Sequence, residues 1–421
     1  METGRQRAPR DFWERADAAC HADGALIGAS DEIEAAVRRE REEAARRTRS
    51  LLLGLAECSD VDTAASLVRA PAVAIAAPGI SDGRPDAIAV AASEARGHAQ
   101  QAAVTEVGPG TIEQFTAGVV RLSRAYVSAP PLPLFAAMGR ELGRIHSVLD
   151  QKAYPAQARD LNFLAGVLCG LMANACLDLG REEAADDLGR AAWTHGRIVD
   201  HGPVMGWARG TQALAAIWDQ RYSEAVRHAE DGLIHVPTGM GAARVHAIRA
   251  RALAALGDRA QARAAIRAAE KARTPADEDE LHDGIAGEFT FDEAKLRYYE
   301  SLALLDSGDT AQAERAAATA INLYEAAPAR ARSYGCAALA RVQLARALLM
   351  GNRLEDAAEA LGSVLALDPQ RRISSLNEHL EACRELLCVP AYWGSATARQ
   401  LDRALVAFSA ASTARALPDG Q

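Results

Sequence analysis

From residue 111 onward, apolar and small residues recur at helical spacing, and that pattern itself returns every few tens of residues. Five segments (169–197, 209–237, 246–274, 295–328 and 341–369) each read as a helix, a tight turn and a second helix. Gly180, Gly257, Gly308 and Gly351 mark four of the turns, and an alanine at 185, 225, 262, 313 or 357 stands where each pair of helices should cross. The alanines are spaced by 40, 37, 51 and 44 residues, which predicts helical hairpins with connections of variable length. Before the array, 111–126 and 134–149 predict two helices divided by the proline-rich run 129–133. They read as a capping hairpin. A helix at about 395–410 would cover the other end, because the terminal faces of such an array must be shielded. The predicted fold class is all-α, a helical-hairpin solenoid wound as a right-handed superhelix.

The first 110 residues read differently. A short amphipathic helix at about 11–20 is followed by a long one from Ser30 or Asp31 to about 57 and a short one at 61–69. Residues 38–49 hold six Arg and three Glu. That pattern fits a solvated, salt-bridged face or a patch for an anionic partner. Ala, Pro and Gly then dominate 70–110, as in a linker. The expected divisions are 1–28, 29–69 (a possible dimerisation segment), 70–110 and a repeat domain at 111–421.

Composition narrows the function classes. Aromatics make up only 5% of the chain while hydrophobic residues make up 49%. Alanine-rich helices in close contact are therefore favoured over a sheet core. A net charge of -9 argues against a chain that mainly grips nucleic acid. Seven scattered cysteines without a Cys-x-x-Cys pair suit reduced core residues in a cytoplasmic protein, and Cys169 and Cys176 share one helix face. Residues 161–177 carry no formal charge, yet Asn162, Asn174 and the flanking Asp160 and Asp178 favour a buried helix over a membrane span. No phosphate-binding loop, nucleophile elbow or His-Glu-x-x-His pair is present, so no enzyme and no cofactor are expected. His282, Asp283 and Glu288 offer only one imidazole, which is a poor metal set.

The hairpins resemble tetratricopeptide repeats. In that pattern the eighth position is small, here Ala173, Ala213, Ala250, Ser301 and Ala345. The twenty-seventh is Ala192, Gly232, Ala269, Ala320 or Val364, and Pro237 and Pro369 stand at the thirty-second. Bulky fourth-position residues are missing in most units, and Arg249 replaces a core leucine. Projecting this register places Asn174, Trp207, Arg244, Arg251, Tyr298 and Arg346 on the inner groove. Asn can hold a peptide backbone and Arg forks suit carboxylates or phosphates; the same residues would equally be exposed positions of an empty groove.

Several phrases carry a further resemblance: Ala125-Tyr126-Val127 with Pro130-Pro131-Leu132-Pro133-Leu134, Arg159-Asp160-Leu161 with Leu168-Cys169-Gly170-Leu171, Leu281-His282-Asp283 with Gly287-Glu288-Phe289, and Ser333-Tyr334-Gly335. Together they resemble the C-terminal sensor region of XRE-type helix-turn-helix transcriptional regulators with tetratricopeptide repeats from GC-rich filamentous bacteria. Glu2-Thr3-Gly4-Arg5 with Pro9 is similar to the turn after a recognition helix in that group, or is an ordinary N-terminal turn. The resemblance implies a ligand-sensing regulatory region that binds a small molecule, peptide or protein in its groove. It also implies a homodimer through the long helix and DNA contact only through a helix-turn-helix missing from these residues. The alternative is a stand-alone repeat scaffold for a protein partner.

Overall fold

A computed structural model describes residue 95 and residues 107–412, apart from 109, 152, 274–277, 329 and 330. All of these belong to the second of two compact units, residues 86–421. The expectations for 1–28 and 29–69, with the dimer contact, and for nearly all of the 70–110 linker lie outside the described residues.

Among the described residues there is no β-strand, and the unit is all-helical. The first pair is α1 (Thr111–Tyr126) and α2 (Pro131–Leu149). Five hairpins follow: α3 (Pro155–Asp178) with α4 (Glu182–Ile198), α5 (Gly202–Trp218) with α6 (Tyr222–His235), α7 (Gly239–Ala255) with α8 (Arg259–Ala272), α9 (Glu293–Asp306) with α10 (Thr310–Ala326), and α11 (Tyr334–Met350) with α12 (Leu354–Leu365). Then come α13 (Ser374–Leu387) and α14 (Ala396–Ala410). Each hairpin packs internally, and its first helix packs on the first helix of the next hairpin, from α3 through to α13.

One local device makes all five turns. The first helix ends at a residue with left-handed backbone: Gly180, Gln220, Gly257, Gly308 and Asn352, with φ of 68°, 58°, 81°, 77° and 58°. The following N–H then reaches back to a carbonyl five residues earlier, as Arg181 does to Cys176 (2.8 Å), Arg221 to Ala216 (2.7 Å) and Asp309 to Leu304 (2.8 Å). This is the Schellman arrangement, which satisfies carbonyls that a helix end would leave unpaired. In the fifth hairpin the sequence points to Gly351, but the left-handed residue is Asn352. Asparagine tolerates that conformation because its short polar side chain can bond locally.

Close approach within each hairpin depends on small side chains. Ala185, Ala225, Ala262, Ala313 and Ala357 are all at most 1% exposed, and Ala173, Ala213, Ala250, Ser301 and Ala345 are fully buried. A larger group has nowhere to go at these crossings. Ala262→Leu is expected to lower stability by roughly 1–3 kcal/mol through overpacking. An unchanged denaturation midpoint would contradict the crossing at that position.

Helix α3 is long and apolar enough to cross a membrane, but 83% of its apolar window is buried inside the protein. It forms the middle of a core with α1 and α2, where Leu161, Leu164, Leu168 and Leu171 are at most 1% exposed. Cys169 and Cys176 lie in this helix, and burial pushes both thiols up to about 12, consistent with packing rather than reactivity.

The long step in the repeat has a structural cause. Between α8 and α9 the chain makes a π-helical turn, Glu280–Ile285, and a 3-10 turn, Gly287–Phe289. Leu281, Ile285 and Phe289 enter the core of α1–α3. The Ser123 hydroxyl donates to the Ala286 carbonyl (2.6 Å) and accepts from the Glu288 N–H (3.2 Å). The φ of Gly287 is 65°, and a Cβ there would stand 2.6 Å from the Ser123 backbone. Only glycine lets the two backbones approach this closely.

Two further contacts bring the end of the run back to its start. The Tyr334 N–H, opening α11, donates to the Val127 carbonyl just after α1 (3.0 Å). Helix α13 packs on α3, and the turn at Pro369–Arg371 packs on α2. The hairpins therefore surround an interior space rather than facing an open trough. Sequence periodicity gives no sign of α13.

Candidate ligand-binding cavity

The space enclosed by the first helices of the hairpins, the loop after α8 and the start of α11 measures about 950 Å³, counting solvent at its opening. Asn174, Trp207, Arg244, Arg251 and Tyr298 all line it, although they come from four different helices. The sixth expected groove residue, Arg346, is not among the lining residues. It bonds Gln343 (2.7 Å) and lies 3.8 Å from Asp306, so its charge is engaged elsewhere.

Seven of the chain's 5 Trp, 8 Tyr and 7 Phe converge here. Beside Trp207 and Tyr298 they are Tyr126, Trp218, Phe291, Tyr299 and Tyr334. That concentration in an aromatic-poor chain is the strongest sign that the cavity is a built feature. Projection missed Trp218, but a visible signal existed: it stands eleven residues after Trp207 on α5, close to three full turns, so both face the same way. Arg244 and Arg251 are likewise seven apart on α7, and Asn174 and Asp178 are four apart on α3.

One wall is a chain of polar contacts. The Tyr126 hydroxyl donates to Asp178 (2.6 Å), and the Asn174 amide donates to the Tyr126 oxygen (3.1 Å) and to Glu288 (3.5 Å). Glu288 in turn holds Lys295, whose Nζ lies 3.2 Å from the Glu288 carboxylate and donates to its carbonyl (2.7 Å). Burial pushes the Asp178 carboxyl up to about 7; the Tyr126 hydrogen bond opposes this and nearby Glu288 adds to it. Asp178 lines the cavity. Burial opposes the charge on Lys295, but Glu288 together with Cys336 and Asp292 more than compensates and holds the ammonium above its usual range.

The basic wall lies on α7. Arg244 is 4% exposed, stacks 3.7 Å over the Trp207 ring and donates to the Trp207 carbonyl (3.4 Å) and the Thr211 hydroxyl (3.2 Å). Arg251 is 7% exposed and stacks 4.3 Å over Trp218. Stacking of this kind favours a cation most where water is excluded.

In the loop after α8, the Asp283 carboxylate accepts from the Asp279 N–H (2.9 Å). His282 Nδ1 is 2.7 Å from Asp279, and Glu288 is paired with Lys295. Among the described residues no group of three or more metal-ligating side chains gathers. Lys295 and Ser333 also line a second cavity of about 1140 Å³ beside Tyr324.

No family model matches this chain, and no curated protein matches it.

Proposed function

We propose that this chain is the ligand-sensing region of a transcriptional regulator of the XRE type, built as a tetratricopeptide-like solenoid, and that its ligand is a small molecule held in the central cavity. One observation supports this above the others: side chains from α3, α5, α7, α9 and α11 meet at a single cavity. A molecule bound there can touch several hairpins at once. Its binding energy can therefore bias how the hairpins sit on one another, which is the differential interaction a sensor requires. In this reading the protein is a cytoplasmic homodimer, and residues 1–28, which resemble part of a helix-turn-helix, belong to its DNA-reading side.

A stand-alone scaffold for a protein partner is the second reading. Ile198 and Ile234, at the ends of α4 and α6, are 62% and 74% exposed and favour it. Single apolar exposures are common on monomers, so this reading ranks lower.

The two readings are separated by a thermal-shift screen of common metabolites, followed by light scattering and promoter-fragment binding of the complete gene product with each stabilising compound. The sensor reading expects a compound that raises the midpoint to change DNA affinity or subunit association as well. A compound that stabilises the protein and alters neither would favour the scaffold.

A further inference from the structure

Resting on the reading of the central cavity as a ligand site, we propose that its ligand is a flat organic acid. Its carboxylate pairs with the Arg251 guanidinium and its ring system lies among the aromatic side chains around Trp218 and Tyr298.

Three cations line the cavity and two of them are committed. Lys295 is held by Glu288, and Arg244 spends donors on Trp207 and Thr211. Arg251 makes no side-chain hydrogen bond and no ion pair among the described residues, although it is only 7% exposed. A buried charge is tolerated when it is paired, and a guanidinium fork matches a carboxylate with two parallel hydrogen bonds. The carboxylates nearest in electrostatic terms are Asp306 and Glu378, and neither is within salt-bridge distance. Asp306 instead lies 3.8 Å from Arg346, and Glu378 faces solvent, so neither serves as the partner of Arg251. The missing anion is most simply supplied from outside the chain.

The shape of the molecule follows from the walls. Aromatic faces accept another flat π-system in offset or edge-on contact. Tyr298, Tyr299 and Tyr334 line the same space, and none of their hydroxyls makes a hydrogen bond among the described residues, leaving polar tips for a substituent.

Two other ligand classes fit poorly. An extended peptide needs side chains that pair with its backbone, and the single asparagine on the lining, Asn174, already donates to Tyr126 and Glu288. A cation would meet Arg251 uncompensated. The opposing Asp178 carries only part of its charge near neutrality, since burial places its carboxyl at about 7.

The test is calorimetric titration of the full chain with 2-naphthoate, with 2-naphthol and 2-naphthylmethylammonium as neutral and cationic probes of the same outline. The proposal expects 2-naphthoate to bind, the other two to bind at least about tenfold more weakly, and Arg251→Gln to lose about ten- to a hundredfold in naphthoate affinity. Arg190→Gln serves as control, because Arg190 pairs with Asp186 and Asp187 on the outside. Equal binding of 2-naphthol, or full affinity in Arg251→Gln, would overturn the acid class while leaving the cavity as a ligand site. Absence of 2-naphthoate binding would also overturn it, and if a metabolite and peptide library also failed, the cavity reading would fall too. The comparison of probes on the unaltered chain decides the point even if Arg251→Gln does not fold.

Discussion

Asp178→Asn is expected to stabilise the protein by about 2–4 kcal/mol at about pH 8 and to change little at about pH 4. The carboxyl titrates near its ordinary acidic value in the unfolded chain but at about 7 in the folded one, chiefly because it is buried. Between those values the native state binds the extra proton. The stability contributed by the protonated carboxyl is complete below the unfolded value and falls as pH rises through about 7. Asparagine cannot ionise, yet its carbonyl oxygen can still accept the Tyr126 hydroxyl that now bonds Asp178 at 2.6 Å. Denaturant midpoints of both proteins across this pH range provide the measurement. Subtracting one profile from the other removes the slope due to every titratable group the two proteins share. Parallel profiles would mean that Asp178 stays ionised and that the cavity is wetter at that wall than its packing implies.

Phe289→Ala should be the most damaging single truncation in the loop after α8, at about 3–5 kcal/mol. Phe289 is 1% exposed and meets the Trp207 ring edge-on at 4.4 Å. Removing it leaves a void in the core of α1–α3 and releases the loop that carries Glu288 and, a few residues on, Lys295. Hydrogen exchange should accelerate first in the loop and at the start of α9, with α14 unaffected, because local opening follows the contacts that are lost. Protection unchanged throughout would show that the loop is held by its hydrogen bonds to Ser123 alone. Gly287→Val approaches the same joint from the backbone side, since its Cβ would overlap Ser123 whatever rotamer it took.

The helical hairpins were legible because one physical requirement repeats. Two helices can cross closely only at a small residue, and the alanines at 185, 225, 262, 313 and 357 mark each crossing. The expected bounds of α1 match those observed, and α2 starts only a little earlier than the pattern suggests, at Pro131, because proline suits the first turn of a helix. Helix α13 was not legible: its outward face is rich in Glu and Arg, and its buried side includes Ser375, Asn377 and His379, so its apolar stripe is interrupted. The cavity residues were partly legible. Repeat register places a residue on the inner side of a first helix, and Asn174, Trp207, Arg244, Arg251 and Tyr298, chosen on that basis, line one cavity. Register could not show that α13 returns to α3 or that the loop after α8 docks on α1. Those contacts depend on side chains far apart in sequence, such as Ser123 with Ala286, and they turn an expected open groove into a partly closed cavity. Arg346 fell outside it because Asp306 and Gln343 draw its guanidinium away.

The claim that the central cavity is a small-molecule site is tested most directly by native mass spectrometry of the full chain incubated with the low-mass fraction of the cells that produce it. The expected result is a discrete adduct of one small molecule per chain, lost from Arg251→Gln and retained by Arg190→Gln. An adduct carried equally by Arg251→Gln would remove only the pairing at Arg251, whereas a chain that stays unliganded in that fraction would contradict the account.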